Sequence, residues 1–158
     1  MREIENNKKE IVNLLKNPPK SWEKLFKEEG INATITGILS LLESTAGGNE
    51  SLETETSSGN PKDYVPPDKV REEAMKGIRL SHKFNYPSYK GIGLARAVQL
   101  ATQPTIWKKS VDRMDAFFKR NARYTTLSGF GDDNSPSKSY LAWLNWGGNS
   151  GMEWSKSV

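Results

Sequence analysis

The sequence predicts a mainly α-helical protein: a compact helical C-terminal module with long loops, preceded by a helical N-terminal arm and a flexible acidic linker. Three observations carry this. Between proline and glycine stops, apolar residues recur at steps of three and four, the spacing of one helix face. No stretch shows a persuasive period of two, the mark of a half-buried strand. From about Thr45 to Pro61 the chain turns to Gly, Ser, Thr, Asn and Glu with one large apolar side chain, Leu52, too little burial to offset the entropy of ordering. The expected divisions are a helical arm (1–44), an acidic Ser/Gly-rich linker (45–61) and an α-helical module with a Trp-rich end (62–158).

The elements follow in order. Residues 1–16 place Ile4, Ile11, Leu14 and Leu15 on one stripe among Lys and Glu. Asn17-Pro18-Pro19 stops that helix, because proline donates no backbone hydrogen bond. Ser21 is the expected N-cap of a short helix with Trp22, Leu25 and Phe26, closed by Gly30. Asn32 caps a third, with Ile35, Ile38, Leu39 and Leu42 at helical spacing. The module opens on Val65-Pro66-Pro67-Asp68, with proline in the first turn and acids after it, and Val70, Ala74 and Ile78 form its buried stripe. Asn85 to Gly93 reads as a loop. Leu94, Ala97, Val98 and Ala101 make a small-residue face suited to close helix contact, ended by Gln103-Pro104.

Thr105 is the expected cap of a strong helix running to Arg123, with Trp107, Val111, Met114 and Phe118 as its core stripe. A loop with Gly129, Gly131 and Pro136 follows. Ser137 caps the last substantial helix, Lys138 to Trp146, and Gly147-Gly148 ends it. Tyr140, Leu141, Trp143, Leu144 and Trp146 make that helix apolar nearly all round, so it should be central. Three of the five tryptophans lie in the last sixteen residues, and Trp154 is expected to fold back onto the helix after one further turn.

Composition bounds the chemistry. With 35% hydrophobic residues the core is small, and its aromatics must supply much of the buried area. No apolar run approaches the ~18 residues that span a bilayer, and the N-terminus has no apolar signal region. The chain has no cysteine, hence no disulfide and no thiolate metal site. Residues 1–61 carry 7 basic and 10 acidic side chains, net −3, while residues 62–158 carry 16 and 9, net +7. A preference for acidic partners therefore belongs to the C-terminal part.

The candidate binding surface is the helix from Trp107 to Arg123. It carries Lys108, Lys109, Arg113, Lys119, Arg120 and Arg123 against Asp112 and Asp115. With its apolar stripe inward, most of these cations face solvent, either as contacts to a phosphate backbone or acidic protein or as a solvated face. Tyr86, Tyr89, Tyr124 and Phe130, with Lys90 and Arg123 adjacent, fit base stacking or packing onto the core. Gly91-Ile-Gly93 lacks the third glycine and the βαβ setting of a dinucleotide loop, and no cofactor is expected. His82, the single histidine, lacks the partners for catalysis or zinc, and its place near a helix C-terminus accounts for it. Asp132-Asp133-Asn134 lacks the spacing of a calcium loop, and no metal is expected. Ser135, Ser137 and Ser139 form no nucleophile elbow, and the adjacent Glu72 and Glu73 make no carboxylate pair.

Four segments carry a resemblance: Lys76-Gly-Ile-Arg-Leu80, Gly93-Leu-Ala-Arg-Ala97, Arg113-Met-Asp-Ala-Phe-Phe118, and Pro136 through Trp154 with its Tyr-Leu-Ala-Trp-Leu-Asn-Trp-Gly-Gly core. In order and spacing, residues 65–158 resemble a small domain of tailed bacteriophages, encoded near head and portal genes or within prohead-protease-like polypeptides. Asn149 stands where that family often has Asp, and Ala122-Arg-Tyr124 replaces a more usual Arg-His-Glu-like ending. The resemblance implies a phage setting, in the virion or host cytoplasm, and no reaction. The expectation is a non-enzymatic phage protein, virion-associated or acting in head morphogenesis, that binds another phage protein or DNA through the basic helix. Two alternatives are a non-packaged nucleic-acid-binding or host-modulating protein, and a phosphodiester-acting enzyme relying on Asp132 and Asp133. Neither a membrane nor a small-molecule substrate is expected.

Overall fold

The computed structural model describes residues 2–27, 64–87 and 92–158. The helix expected from Asn32, the linker 45–61 and the loop residues Tyr89 and Lys90 lie outside them. The described residues are mainly helical, as the sequence predicts: α1 (Arg2–Lys16), α2 (Lys20–Lys27), α3 (Asp68–Lys83), α4 (Ile92–Thr102), α5 (Lys108–Asn121), a 3-10 turn (Ala122–Thr126), α6 (Lys138–Asn145) and α7 (Gly148–Ser157).

Helix α4 is the axis of the packing. Every residue from Gly93 to Thr102 is buried. Its Gly and Ala positions let α1, α3 and α6 approach it closely. Along α3 the expected stripe of Val70, Ala74 and Ile78 is buried, joined by Met75. Gly77 meets α6 backbone to backbone: a Cβ there would lie 2.5 Å from Asn145 Oδ1 and 2.8 Å from Asn145 N. Gly77→Ala gains about 1 kcal/mol of helix propensity. Overpacking against a backbone that cannot yield costs about 1–3 kcal/mol and also forces the helices apart. Net destabilisation of up to about 2 kcal/mol is expected in urea unfolding, and a stabilised variant would refute the close approach.

The two N-terminal helices pack on the module. Ile11 and Trp22 belong to one core cluster with Val70, Met114 and Trp143. Asn7 Nδ2 donates to the Ala101 carbonyl at 2.9 Å, and Arg79 clasps the Glu10 carboxylate through Nε and Nη2. The Trp22 indole donates to the Tyr86 carbonyl at 2.8 Å and meets His82 edge to face. The apolar stripe of α1 is thus buried against α3 and α4. Ser21 lies inside α2, not at its cap; the Ser21 amide donates instead to Asn85 Oδ1 at 2.8 Å.

The C-terminal end of α4 is closed by a side chain from α3. Arg71 is only 4% exposed, and its guanidinium donates to the carbonyls of Leu100 (2.8 Å), Gln103 (2.7 Å) and Pro104 (3.2 Å). These groups lack partners inside a helix, and a cation there also suits the helix dipole. Burial lowers the pKa of Arg71, against the favourable fields of Glu3 and Asp68.

Two boundaries differ from expectation. Thr105 does not cap α5, because Ile106 is drawn into a backbone bridge with Tyr64, with N–H to O distances of 2.8 and 3.3 Å. The helix therefore starts at Lys108, and Trp107 sits at its N-cap position with extended backbone. Trp107 is half-buried there and is not a member of the central core stripe, unlike Val111, Met114 and Phe118. Ser137 does cap α6, accepting from the Tyr140 amide at 3.1 Å. Tyr140, Leu141, Trp143, Leu144 and Trp146 are all buried, as expected of a central helix. Gly147, at φ 113°, makes the turn that only glycine adopts readily. The single further turn expected after it is a ten-residue helix, α7, on which Trp154 is half-buried against the core. The first turn of α7 is capped from a distance: the Ser150 amide donates to Glu73 Oε2 at 2.9 Å.

Candidate partner-binding face

Helix α5 turns Val111, Met114, Phe117 and Phe118 inward, which leaves its cations on the outer side. They do not form one uniform stripe. Lys108 pairs with Asp112 at 3.1 Å and Lys119 with Asp115 at 2.8 Å, both one turn apart along the helix. Such exposed pairs contribute only about 0.3–0.5 kcal/mol, but they neutralise two of the six cations. Lys109 is exposed near the N-terminal end. Arg123 lies beyond the helix, in the 3-10 turn, where it donates to the Tyr124 hydroxyl at 3.0 Å and covers the Tyr124 ring at 5.0 Å.

The remaining two, Arg113 and Arg120, are brought together on the wall of a cavity of about 480 Å³. The floor is apolar: Ile92 and Gly93 from α4, Ala116 and Phe117 from α5, Ala142 from α6, and Trp146 just after it. Tyr86 and Asn121 complete the rim, and no carboxylate is among the described lining residues. Burial raises the pKa of the Tyr86 hydroxyl, which keeps it neutral.

No family model, curated protein or solved structure matches the chain. The functional reading therefore rests on the site itself.

Behind the floor, the Trp146 indole is stacked on Phe117 at 4.6 Å and 5°. The Arg96 guanidinium stands 4.9 Å from the centre of the same indole. Arg96 is buried, donates to Gln99 Oε1, and has its pKa lowered by burial to about 10, which leaves it charged at neutral pH. A buried cation behind an apolar floor adds to the positive potential of the two rim arginines.

The other singled-out residues have structural partners. His82 Nε2 lies 2.7 Å from the Asn17 carbonyl, holding the turn between α1 and α2 onto α3. Asp132 Oδ1 accepts the amides of Asn134 and Ser135, an Asx turn ahead of α6. Asp133 accepts the Tyr140 hydroxyl at 2.6 Å and pairs with Lys76 at 2.8 Å, and Lys76 above all holds its carboxyl below the usual range. Phe130 packs on Tyr140 and Trp143 rather than standing free. Among the described residues no three His, Asp or Glu side chains converge on a metal-sized space.

The cations are legible in the sequence and the cavity is not. Its lining is drawn from Tyr86, the start of α4, the middle of α5 and the end of α6, so no local pattern announces it. One signal was present: Ala116, Arg113 and Arg120 share the α5 flank next to the core stripe, where a small residue leaves room between two long ones.

Proposed function

We propose that this chain is a non-enzymatic bacteriophage binding protein, virion-associated or acting in head morphogenesis, that holds an acidic partner against the α5 face. The phage setting rests on the sequence resemblance of residues 65–158. The binding reading rests chiefly on one observation: Arg113 and Arg120 stand beside an apolar cavity whose described lining contains no carboxylate. Long-range attraction from the module's net positive charge steers an acidic partner, and the two guanidinium groups fix its carboxylates. Lys108 and Lys119 are paired within the helix, whereas Arg113 and Arg120 line the cavity.

Two measurements test this. Mass spectrometry of purified virions and proheads should detect the chain in one of them, and absence from both overturns the head-associated reading. A labelled acidic peptide should bind the protein at about 50 mM salt and weaken steeply as salt rises. Arg113→Gln with Arg120→Gln should then weaken binding about three- to tenfold. Binding that ignores both salt and these substitutions would remove the cavity side from the reading. A second reading, contact with a DNA backbone, is favoured by the exposure of Lys109, Arg120 and Arg123 and predicts the same salt sensitivity with duplex DNA as the probe.

A further inference from the structure

The cavity carries information that charge alone does not. Its aromatic floor is tightly packed: Phe117 and Trp146 are stacked on each other, Arg96 lies over the same indole, and each ring residue is 9% exposed. Stacking of a nucleic-acid base requires an exposed ring face, and Phe117 and Trp146 are both buried. A volume of about 480 Å³ lies within the range of pockets that hold an organic ligand, and Ala116 and Ala142 on opposite helices supply its width. Arg120 is exposed at the mouth and has no ion-pair partner among the described residues, and Arg113 stands half-buried beside it.

Resting on the reading above, we propose that the cavity seats one bulky apolar side chain, of Phe or Leu size, from an acidic segment of a partner protein. The flanking carboxylates of that segment lie on Arg113 and Arg120. Protein interfaces are commonly anchored in this way, by one desolvated apolar side chain ringed by polar contacts. The apolar floor selects the anchor, and the guanidinium rim selects its neighbours. The partner is thus recognised by an acidic–apolar–acidic pattern, and a uniformly acidic segment engages the rim only.

The test uses the full chain and two short labelled peptides of equal negative charge, one with a central Phe and one with Ala in its place. The Phe peptide should bind about tenfold tighter or better, the effect of burying one aromatic side chain. In Ala116→Leu and, separately, in Ala142→Leu, which fill the cavity from two different helices, the two peptides should bind alike. Equal, salt-sensitive affinity of both peptides for the unaltered protein overturns the anchor inference while the acidic-partner reading stands. A Phe preference that survives both fillings overturns it as well, because the anchor then sits elsewhere. If neither peptide binds at low salt, the acidic-partner reading falls and the anchor with it. A single-stranded oligonucleotide that binds more tightly than either peptide and is displaced by cavity filling would assign the site to nucleic acid and overturn the inference.

Discussion

Arg71→Met should destabilise the protein by about 3 kcal/mol or more, the sum for two or three buried carbonyls left without donors at about 1–3 kcal/mol each. The substituted side chain retains most of the volume, so the loss reports the hydrogen bonds and not a cavity. Leu100, Gln103 and Pro104 all present their carbonyls to this one guanidinium. Neither water nor a neighbouring helix replaces it readily, since Arg71 is almost fully covered. Arg71→Lys should recover only part of the loss, because an ammonium on a flexible stem does not reproduce the planar fork that spans three acceptors. Urea unfolding followed by circular dichroism is the measurement: the midpoint should fall with an unchanged slope. A loss under about 1 kcal/mol for Arg71→Met would mean that these carbonyls find other partners.

Trp143→Ala should cost about 3–5 kcal/mol, the range for emptying an aromatic site in a packed core. The Trp143 ring meets Phe118 edge to face at 4.7 Å and Phe130 at 5.6 Å, and tilts against Phe117 at 6.4 Å. Its indole donates to Asn149 Oδ1 at 2.9 Å, tying α6 to the first turn of α7. Trp143→Phe keeps much of the ring and loses that hydrogen bond, so a smaller loss, about 1–2 kcal/mol, is expected. With a marginal total stability of about 5–15 kcal/mol, the alanine variant should be partly unfolded at 37 °C, visible as lost near-ultraviolet dichroism. A near-neutral Trp143→Ala would place the indole at a solvent-facing surface and contradict the packing.

The helices were legible because their signals are local. Pro66-Pro67-Asp68 opens α3 and Ser137 caps α6, since each acts on residues within one turn. The Tyr140 to Trp146 pattern reads as a buried helix because its apolar residues leave no polar flank. What escaped depends on residues far apart in the chain. Arg71 looks like an ordinary surface cation on a charged helix, and its acceptors lie 29 to 33 residues away. Trp107 fits the helical step of four, yet the bridge between Tyr64 and Ile106 holds it outside the helix. Ile11 and Trp22 give no sign in sequence that the N-terminal helices share a core with residues beyond 64. The site was half legible for the same reason. Lys108, Lys109, Arg113, Lys119, Arg120 and Arg123 stand out by type, but only the fold pairs two with acids, sends one onto a tyrosine and sets two beside a cavity.

The contact between Glu73 and the Ser150 amide ties the two ends of the module together. Gly148-Asn149-Ser150-Gly151 is among the poorest possible openings for a helix, and in isolation it would not nucleate one. Its stabilising carboxylate stands 77 residues earlier in the chain, on α3. The first turn of α7 therefore gains its acceptor only where α3 packs against it, so the C-terminal helix is held by a side chain from the opening helix of the module.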